Sequence, residues 1–129
     1  PTNNRSQVKR TDANTLILDC YNANPTSMKS ALESFAMIET EAKLFVIGDM
    51  RELGADTLLE HQLLINQLKQ TYWENVLLVG SEFKPCDHNY LYFETVQEAK
   101  AWLHAQPLKG YTLLIKGSRG IQMEQLIAP

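Results

Sequence analysis

Residues 15–38 read TLILDCYNANPTSMKSALESFAMI, and the reading of this stretch decides the fold. Leu16-Ile17-Leu18 is a short apolar run closed by an acid, Asp19, as suits a strand buried on both faces. Asn22-Ala23-Asn24-Pro25 interrupts it. Met28, Ala31, Leu32, Phe35, Ala36 and Ile38 then follow at helical spacing, with Pro25 or Thr26 suited to the first helical position. The unit is strand, loop, helix.

The unit recurs downstream. Lys43 to Ile47 (KLFVI) ends at Gly48-Asp49, and after a loop through Gly54 an amphipathic helix carries Leu58, Leu59, Leu63, Leu64 and Leu68. Asn75 to Val79 (NVLLV) ends at Gly80. Tyr90 to Phe93 (YLYF) leads through Thr95 into an alanine-containing helix to His104. Thr112 to Ile115 (TLLI) precedes Lys116-Gly117-Ser118-Arg119 and a short helix with Met123, Leu126 and Ile127. Five strands alternating with helices predict parallel pairing through right-handed crossovers: an α/β, Rossmann-like open, mostly parallel sheet with helices on both faces.

Upstream of Thr15 the chain is polar. Residues 1–14 read as an interdomain linker or arriving strand, and residues 15–129 as one domain. A length of 129 residues and 44% hydrophobic content are enough for a folded core. The formal charge of -3, with no long run of either sign, argues against a nucleic-acid partner. Cys20 and Cys86 lie far apart without metal-ligand spacing, as expected of reduced thiols. No apolar stretch approaches the roughly 18–20 residues of a membrane span, and the amino end is too polar for a signal peptide.

In an open parallel sheet, ligands bind beyond the carboxyl ends of the strands. Here those ends carry Asp19, Tyr21, Asn22 and Asn24, then Gly48, Asp49 and Glu52, then Gly80 and Ser81, and finally Lys116, Gly117, Ser118 and Arg119. Asp19 suits a ribose hydroxyl pair, or equally a cap on the following turn. Asn22 and Asn24 suit a ligand or, more simply, the turn into the helix. Gly48 and Gly54 provide backbone freedom, while Asp49 and Glu52 could face a ligand, a metal or merely solvent, and taken alone read as solvated acids. Lys116-Gly117-Ser118-Arg119, at the start of a helix, is the best anion site on these grounds. His61, His88 and His104 show no metal spacing; His61 and His104 read as packed or solvated side chains, and Trp73 and Trp102 as packing. There is no phosphate-gripping GxxxxGK[ST] or GxGxxG sequence. The residues alone support an anion-binding α/β domain.

Taken in order, Asp19-Cys20-Tyr21-Asn22-Ala23-Asn24-Pro25, Gly48-Asp49-Met50-Arg51-Glu52-Leu53-Gly54 and Lys116-Gly117-Ser118-Arg119 carry a more specific signal. From about Arg5 onward the sequence resembles the C-terminal domain of the Mur ligases, on the branch that adds D-alanyl-D-alanine to a UDP-N-acetylmuramoyl-tripeptide. The resemblance implies a cytoplasmic three-domain enzyme of which this chain is the last part. The missing N-terminal and central domains would hold the UDP-sugar and most of the ATP and Mg2+. In such ligases ATP phosphorylates the substrate carboxylate, and the incoming amine attacks the acyl phosphate. The last domain supplies positioning and charge complementarity, so no catalytic residue is expected in it, and the isolated chain is expected to be inactive.

By the same resemblance, Arg5 matches a linker arginine that reaches ATP, and Asp19 matches the acid that takes the ribose. Asn22 stands where related ligases carry a histidine near the nucleotide. Lys116, Ser118 and Arg119 fall in the region that receives the dipeptide, and Tyr21, Asn24, Asp49 and Glu52 line the cleft. Cys20 replaces the usual small residue, and Asn3-Asn4 precede Arg5 where a glycine is common. Other Mur ligases, folylpolyglutamate synthases and a stand-alone, non-catalytic binding module are the alternatives; the first two typically show a histidine at the place of Asn22.

Overall fold

The computed structural model describes residues 6–40, 42–71 and 74–129. In chain order it forms β1 (Ser6–Arg10), β2 (Thr15–Asp19), α1 (Pro25–Ala36), β3 (Lys43–Gly48), α2 (Thr57–Gln70), β4 (Val76–Val79), β5 (Leu91–Phe93), α3 (Val96–His104) and β6 (Thr112–Lys116). The strands make one sheet in the order β1-β2-β6-β3-β4-β5. From β2 to β5 all neighbours are parallel, and β1 runs antiparallel on β2. The five parallel strands are those expected, each bound within a residue. β1 realises the arriving-strand reading of the polar segment but joins this sheet as a sixth strand, which the five apolar runs did not include: all five of its residues are exposed, so it carries no apolar signal, and Lys9 and Arg10 suit an open edge.

Both faces of the sheet are covered, which is why β3, β4 and β6 read as continuous apolar runs. Phe45, Ile47, Leu78 and Leu114 pack with Met28, Leu32 and Phe35 of α1 and Leu64, Ile65 and Leu68 of α2. Leu44, Val46, Leu77, Val79, Leu113 and Ile115 point the other way, onto Val96, Ala99 and Leu103 of α3 and onto Met123 and Leu126. The alternation along each strand is the period of two expected of a pleated backbone.

Asn24 caps α1. Its Oδ1 accepts the Ser27 N–H at 2.8 Å, while Ser27 Oγ accepts the Asn24 N–H at 3.0 Å, and Pro25 takes the first helical position. The turn-building reading of this residue therefore holds. In α2 the buried stripe is His61, Leu64, Ile65 and Leu68, spaced i, i+3, i+4 and i+7. Leu58, Leu59 and Leu63, read as part of the apolar face, are about half exposed, because they sit on other sides of the same helix.

After β6 no α-helix forms. Arg119–Ile121 and Met123–Ile127 are 3-10 turns separated by Gln122 at φ 58°, a left-handed residue that stops helical hydrogen bonding. Lys116–Arg119 consequently does not open an α-helix, a correction to the sequence reading. Met123 and Leu126 still pack fully buried. Among the described residues no helix is long and apolar enough to cross a membrane.

Candidate functional site at the carboxyl edge of the sheet

β6 lies between β2 and β3. The chain leaving β2 and β3 turns to the face of α1 and α2, whereas the chain leaving β6 turns to the opposite face. This divergence opens the crevice at which such sheets bind ligands. It brings together Asp19 to Asn24, Asp49 to Glu52, and Lys116 to Arg119.

Polar side chains tie these three loops to one another. Lys116, only 1% exposed, donates from Nζ to Asp19 Oδ2 at 2.7 Å and to the Asn22 carbonyl at 3.0 Å. The two residues face each other across the β2–β6 ladder. Ser118 is buried as well. Its Oγ accepts the Arg51 N–H at 2.7 Å and donates to the Ala23 carbonyl at 3.2 Å, and its N–H donates to the Asp49 carbonyl at 2.9 Å. Lys116 and Ser118, read from sequence as anion ligands, thus spend these bonds on the fold itself. Arg119 is exposed, with its guanidinium 4.8 Å from the centre of the Tyr21 ring and Nη1 donating to the Tyr21 hydroxyl at 3.3 Å. Asn22, Tyr21 and Asn24 are exposed at the same edge. Arg5 and Trp73 lie outside the described residues.

Asp49 is not solvated, as the sequence suggested, but fully buried. Oδ1 accepts the Glu82 N–H at 3.1 Å; Oδ2 has no hydrogen bond and faces Arg51 Nη2 at 3.8 Å. Burial pushes this carboxyl up to about 7, against the pull of the Glu82 amide and the Arg51 guanidinium. Below pH 4 Asp49 is protonated in both folded and unfolded chains. As pH rises towards 7 only the unfolded chain ionises, so stability falls across that window by up to about 4 kcal/mol. Asp49→Asn removes this term. Urea unfolding at pH 4.5 and pH 8 is expected to show the variant gaining on the wild type at the higher pH, and an unchanged difference would disprove the assignment.

Neighbouring groups set the rest of the loop. Glu52, at φ 64°, is exposed and shapes the turn after β3, where Gly54 at φ 59° also needs the left-handed region. Gly48 has a different cause from the backbone freedom expected: a Cβ there would meet Met123 Sδ at 2.7 Å. His61 Nε2 accepts the Met50 N–H at 3.0 Å and Nδ1 lies 2.6 Å from the Thr57 carbonyl, which requires the proton on Nδ1. Burial lowers its pKa. It is a neutral strut for the loop. His104 similarly holds the Leu126 carbonyl at 2.8 Å. The Cys20 thiol is pushed up to about 12 by burial and is no nucleophile at neutral pH.

The sequence pattern of the Mur ligase, glutamate ligase domain matches residues 4–119, most of the chain, and spans all three loops of the site. The chain belongs to the Mur ligase family. The UDP-N-acetylmuramoyl-tripeptide--D-alanyl-D-alanine ligase of Rickettsia prowazekii is 31% identical over 134 residues, covering 98% of this chain and 29% of that protein. The solved structure of MurF from Acinetobacter baumannii superposes with a TM-score of 0.81 at 30% identity, covering 95% of this chain and 28% of that one. The MurF ligase of Thermotoga maritima in complex with ADP shares the fold, with a TM-score of 0.80 at 23% identity over 95% of this chain and 29% of that one. This Mur ligase chain thus spans under a third of the length of these relatives. In this chain the carboxyl edge of the sheet carries Asp19, Asp49 and Arg119.

Proposed function

We propose that the chain acts as the C-terminal domain of an ATP-dependent ligase that adds D-alanyl-D-alanine to UDP-N-acetylmuramoyl-tripeptide in the cytoplasm. Residues 1–14 would bring the chain from a preceding domain, and residues 15–129 would close over an ATP site held mainly by N-terminal and central domains. The observation that carries this reading is the preorganised acid at the crevice. Asp19 is held by Lys116 through Oδ2, keeps a fifth of its side chain exposed, and has no donor to Oδ1 among the described residues. Such an oxygen is placed to accept from a ribose hydroxyl without reorganising.

ATP supplies the phosphoryl group that activates the tripeptide carboxylate. This domain's part is to position. Asn22 stands on the nucleotide side with Asp19, and the resemblance assigns Arg5, outside the described residues, a part in binding ATP. Lys116 and Ser118 hold the loops in register for the dipeptide, and Arg51 and Arg119 leave positive charge at the rim. Among the described residues no three histidine, cysteine or acidic side chains come together as a metal site requires. No step is assigned to a magnesium ion in this domain.

The test is phosphate release dependent on D-alanyl-D-alanine, measured when the chain is added to a relative truncated after its first two domains. Turnover that appears with the chain and falls at least tenfold with Asp19→Ala supports the reading. Turnover indifferent to Asp19 would remove the acid from the nucleotide site. The chain alone is expected to release no phosphate.

A further inference from the structure

Beyond Gly48 no strand ladder fixes the backbone, and successive amides of the turn are taken by three different parts of the fold. Asp49 N–H donates to the Val79 carbonyl of β4 at 3.1 Å, Met50 N–H to His61 Nε2 of α2 at 3.0 Å, and Arg51 N–H to Ser118 Oγ at 2.7 Å. The chain then turns left-handed at Glu52. In such a segment the position of each residue depends on its own partner. Met50 itself is buried among α1 and α2, whereas Arg51 and Glu52, next in the chain, are exposed. The bond to His61 therefore fixes the turn at the point where it passes from the core to the crevice.

The imidazole that makes this bond is oriented from two sides. It is fully buried and stands edge-on to Phe83, with centroids 4.8 Å apart at 81°. Phe83 lies in the turn after β4, where the neighbouring Glu82 N–H holds Asp49. On the other side, Nδ1 meets the Thr57 carbonyl at 2.6 Å. That carbonyl lies four residues back in α2, where helical geometry already pairs it with the His61 amide. The Nδ1–H bond thus serves chiefly to aim the ring. It places the proton on Nδ1 and leaves Nε2 an acceptor facing Met50, and burial keeps the ring neutral.

We propose that His61 is a positioning residue of the ligase: through the Met50 amide, its Nε2 holds the turn that carries Arg51 and Glu52 in the shape that use of the dipeptide requires. His61 itself touches no substrate. The assignment rests on the ligase reading above and adds to it a side chain that lies behind the crevice. The sequence showed His61 only as a packed or solvated residue, since nothing along the chain reveals that its ring meets an amide eleven positions earlier.

Two substitutions separate the bond from the bulk of the side chain. In glutamine the side-chain amide reaches as far as Nε2 and offers an oxygen to Met50; in asparagine it reaches only as far as Nδ1 and can serve Thr57 alone. Amide hydrogen exchange of the chain, followed by NMR, is expected to accelerate at Met50 and Arg51 in His61→Asn by about tenfold or more beyond any change at Ile47 and Leu78. In His61→Gln it is expected to stay within about threefold of the wild type. In the assay with the truncated relative, KM for D-alanyl-D-alanine is expected to rise about tenfold in His61→Asn and to return to within about threefold in His61→Gln, with KM for the UDP-linked tripeptide unmoved. A variant that is merely less folded lowers the rate and moves neither KM. Exchange at Met50 as slow in His61→Asn as in the wild type, equal acceleration in both variants, or an unmoved KM for the dipeptide in His61→Asn overturns the proposal. Failure of the ligase reading is seen separately, as no turnover with the unaltered chain; the exchange rates then decide by themselves whether His61 holds the turn.

Discussion

Gly80→Ala is expected to destabilise the domain by on the order of 4 kcal/mol, the largest loss for so small a change. Gly80 follows β4 at φ 123° and ψ 152°, a region open to glycine and closed to L side chains. Holding alanine there costs about 1–3 kcal/mol in backbone strain alone. A Cβ would also stand inside the van der Waals envelope of the Asp49 carboxyl. Asp49 cannot retreat without giving up the Glu82 amide, and it is packed on all sides. The two costs add at one point. Since a domain of this size has only about 5–15 kcal/mol of stability to lose, much of the variant is expected to be unfolded or aggregated at 37 °C. Urea unfolding within 1 kcal/mol of the wild type would contradict the placement of Asp49 under Gly80.

Lys116→Met is expected to cost about 3–5 kcal/mol, although methionine nearly matches lysine in length and is the more apolar side chain. The loss comes from what stays behind. Asp19 keeps a charge with no counter-ion at a site only 20% exposed, and the Asn22 carbonyl loses its donor. The double variant Asp19→Asn, Lys116→Met removes both charges. It is expected to recover a large part of the loss, because the remaining groups are neutral and the register of β2 on β6 is kept by the backbone ladder. Chemical denaturation of the four proteins in the cycle measures this directly. A coupling below about 0.5 kcal/mol would mean that the pair does not hold the crevice together.

The fold was legible in the sequence because its strands are buried on both faces. Runs such as Phe45-Val46-Ile47 and Leu77-Leu78-Val79 carry their own signal, and loops of known chemistry, Asn24-Pro25 and Thr95 to Glu98, mark where helices begin. The segment holding β1 was read only as a linker or an arriving strand and not as a member of this sheet, since an edge strand that buries nothing leaves no pattern. The segment after β6 was read as a helix because Met123, Leu126 and Ile127 keep helical spacing; a single left-handed residue, Gln122, changes the backbone without changing that spacing.

For the site, position along the chain was legible and environment was not. The sequence placed Asp19, Asp49 and Lys116 at strand ends correctly. It could not tell that Lys116 turns inward to Asp19, or that Asp49 is enclosed by Gly80 and Glu82, which lie about thirty residues away. Burial of a charge depends on partners brought in by the sheet order. β6, last in the chain, sits between β2 and β3, and that insertion is what encloses Lys116 and Ser118.

A domain that serves addition of a dipeptide is expected to confer that specificity on a chimeric ligase. The chain is fused behind the first two domains of the Acinetobacter baumannii relative, supplied with ATP and UDP-N-acetylmuramoyl-tripeptide, and offered D-alanyl-D-alanine, D-glutamate or meso-diaminopimelate in turn, with the product read by mass spectrometry. The expected result is a mass increase of one dipeptide with D-alanyl-D-alanine and no product with either single amino acid. Addition of a single amino acid would contradict it, as would absence of the dipeptide product when the relative's own third domain supports the reaction in the same fusion.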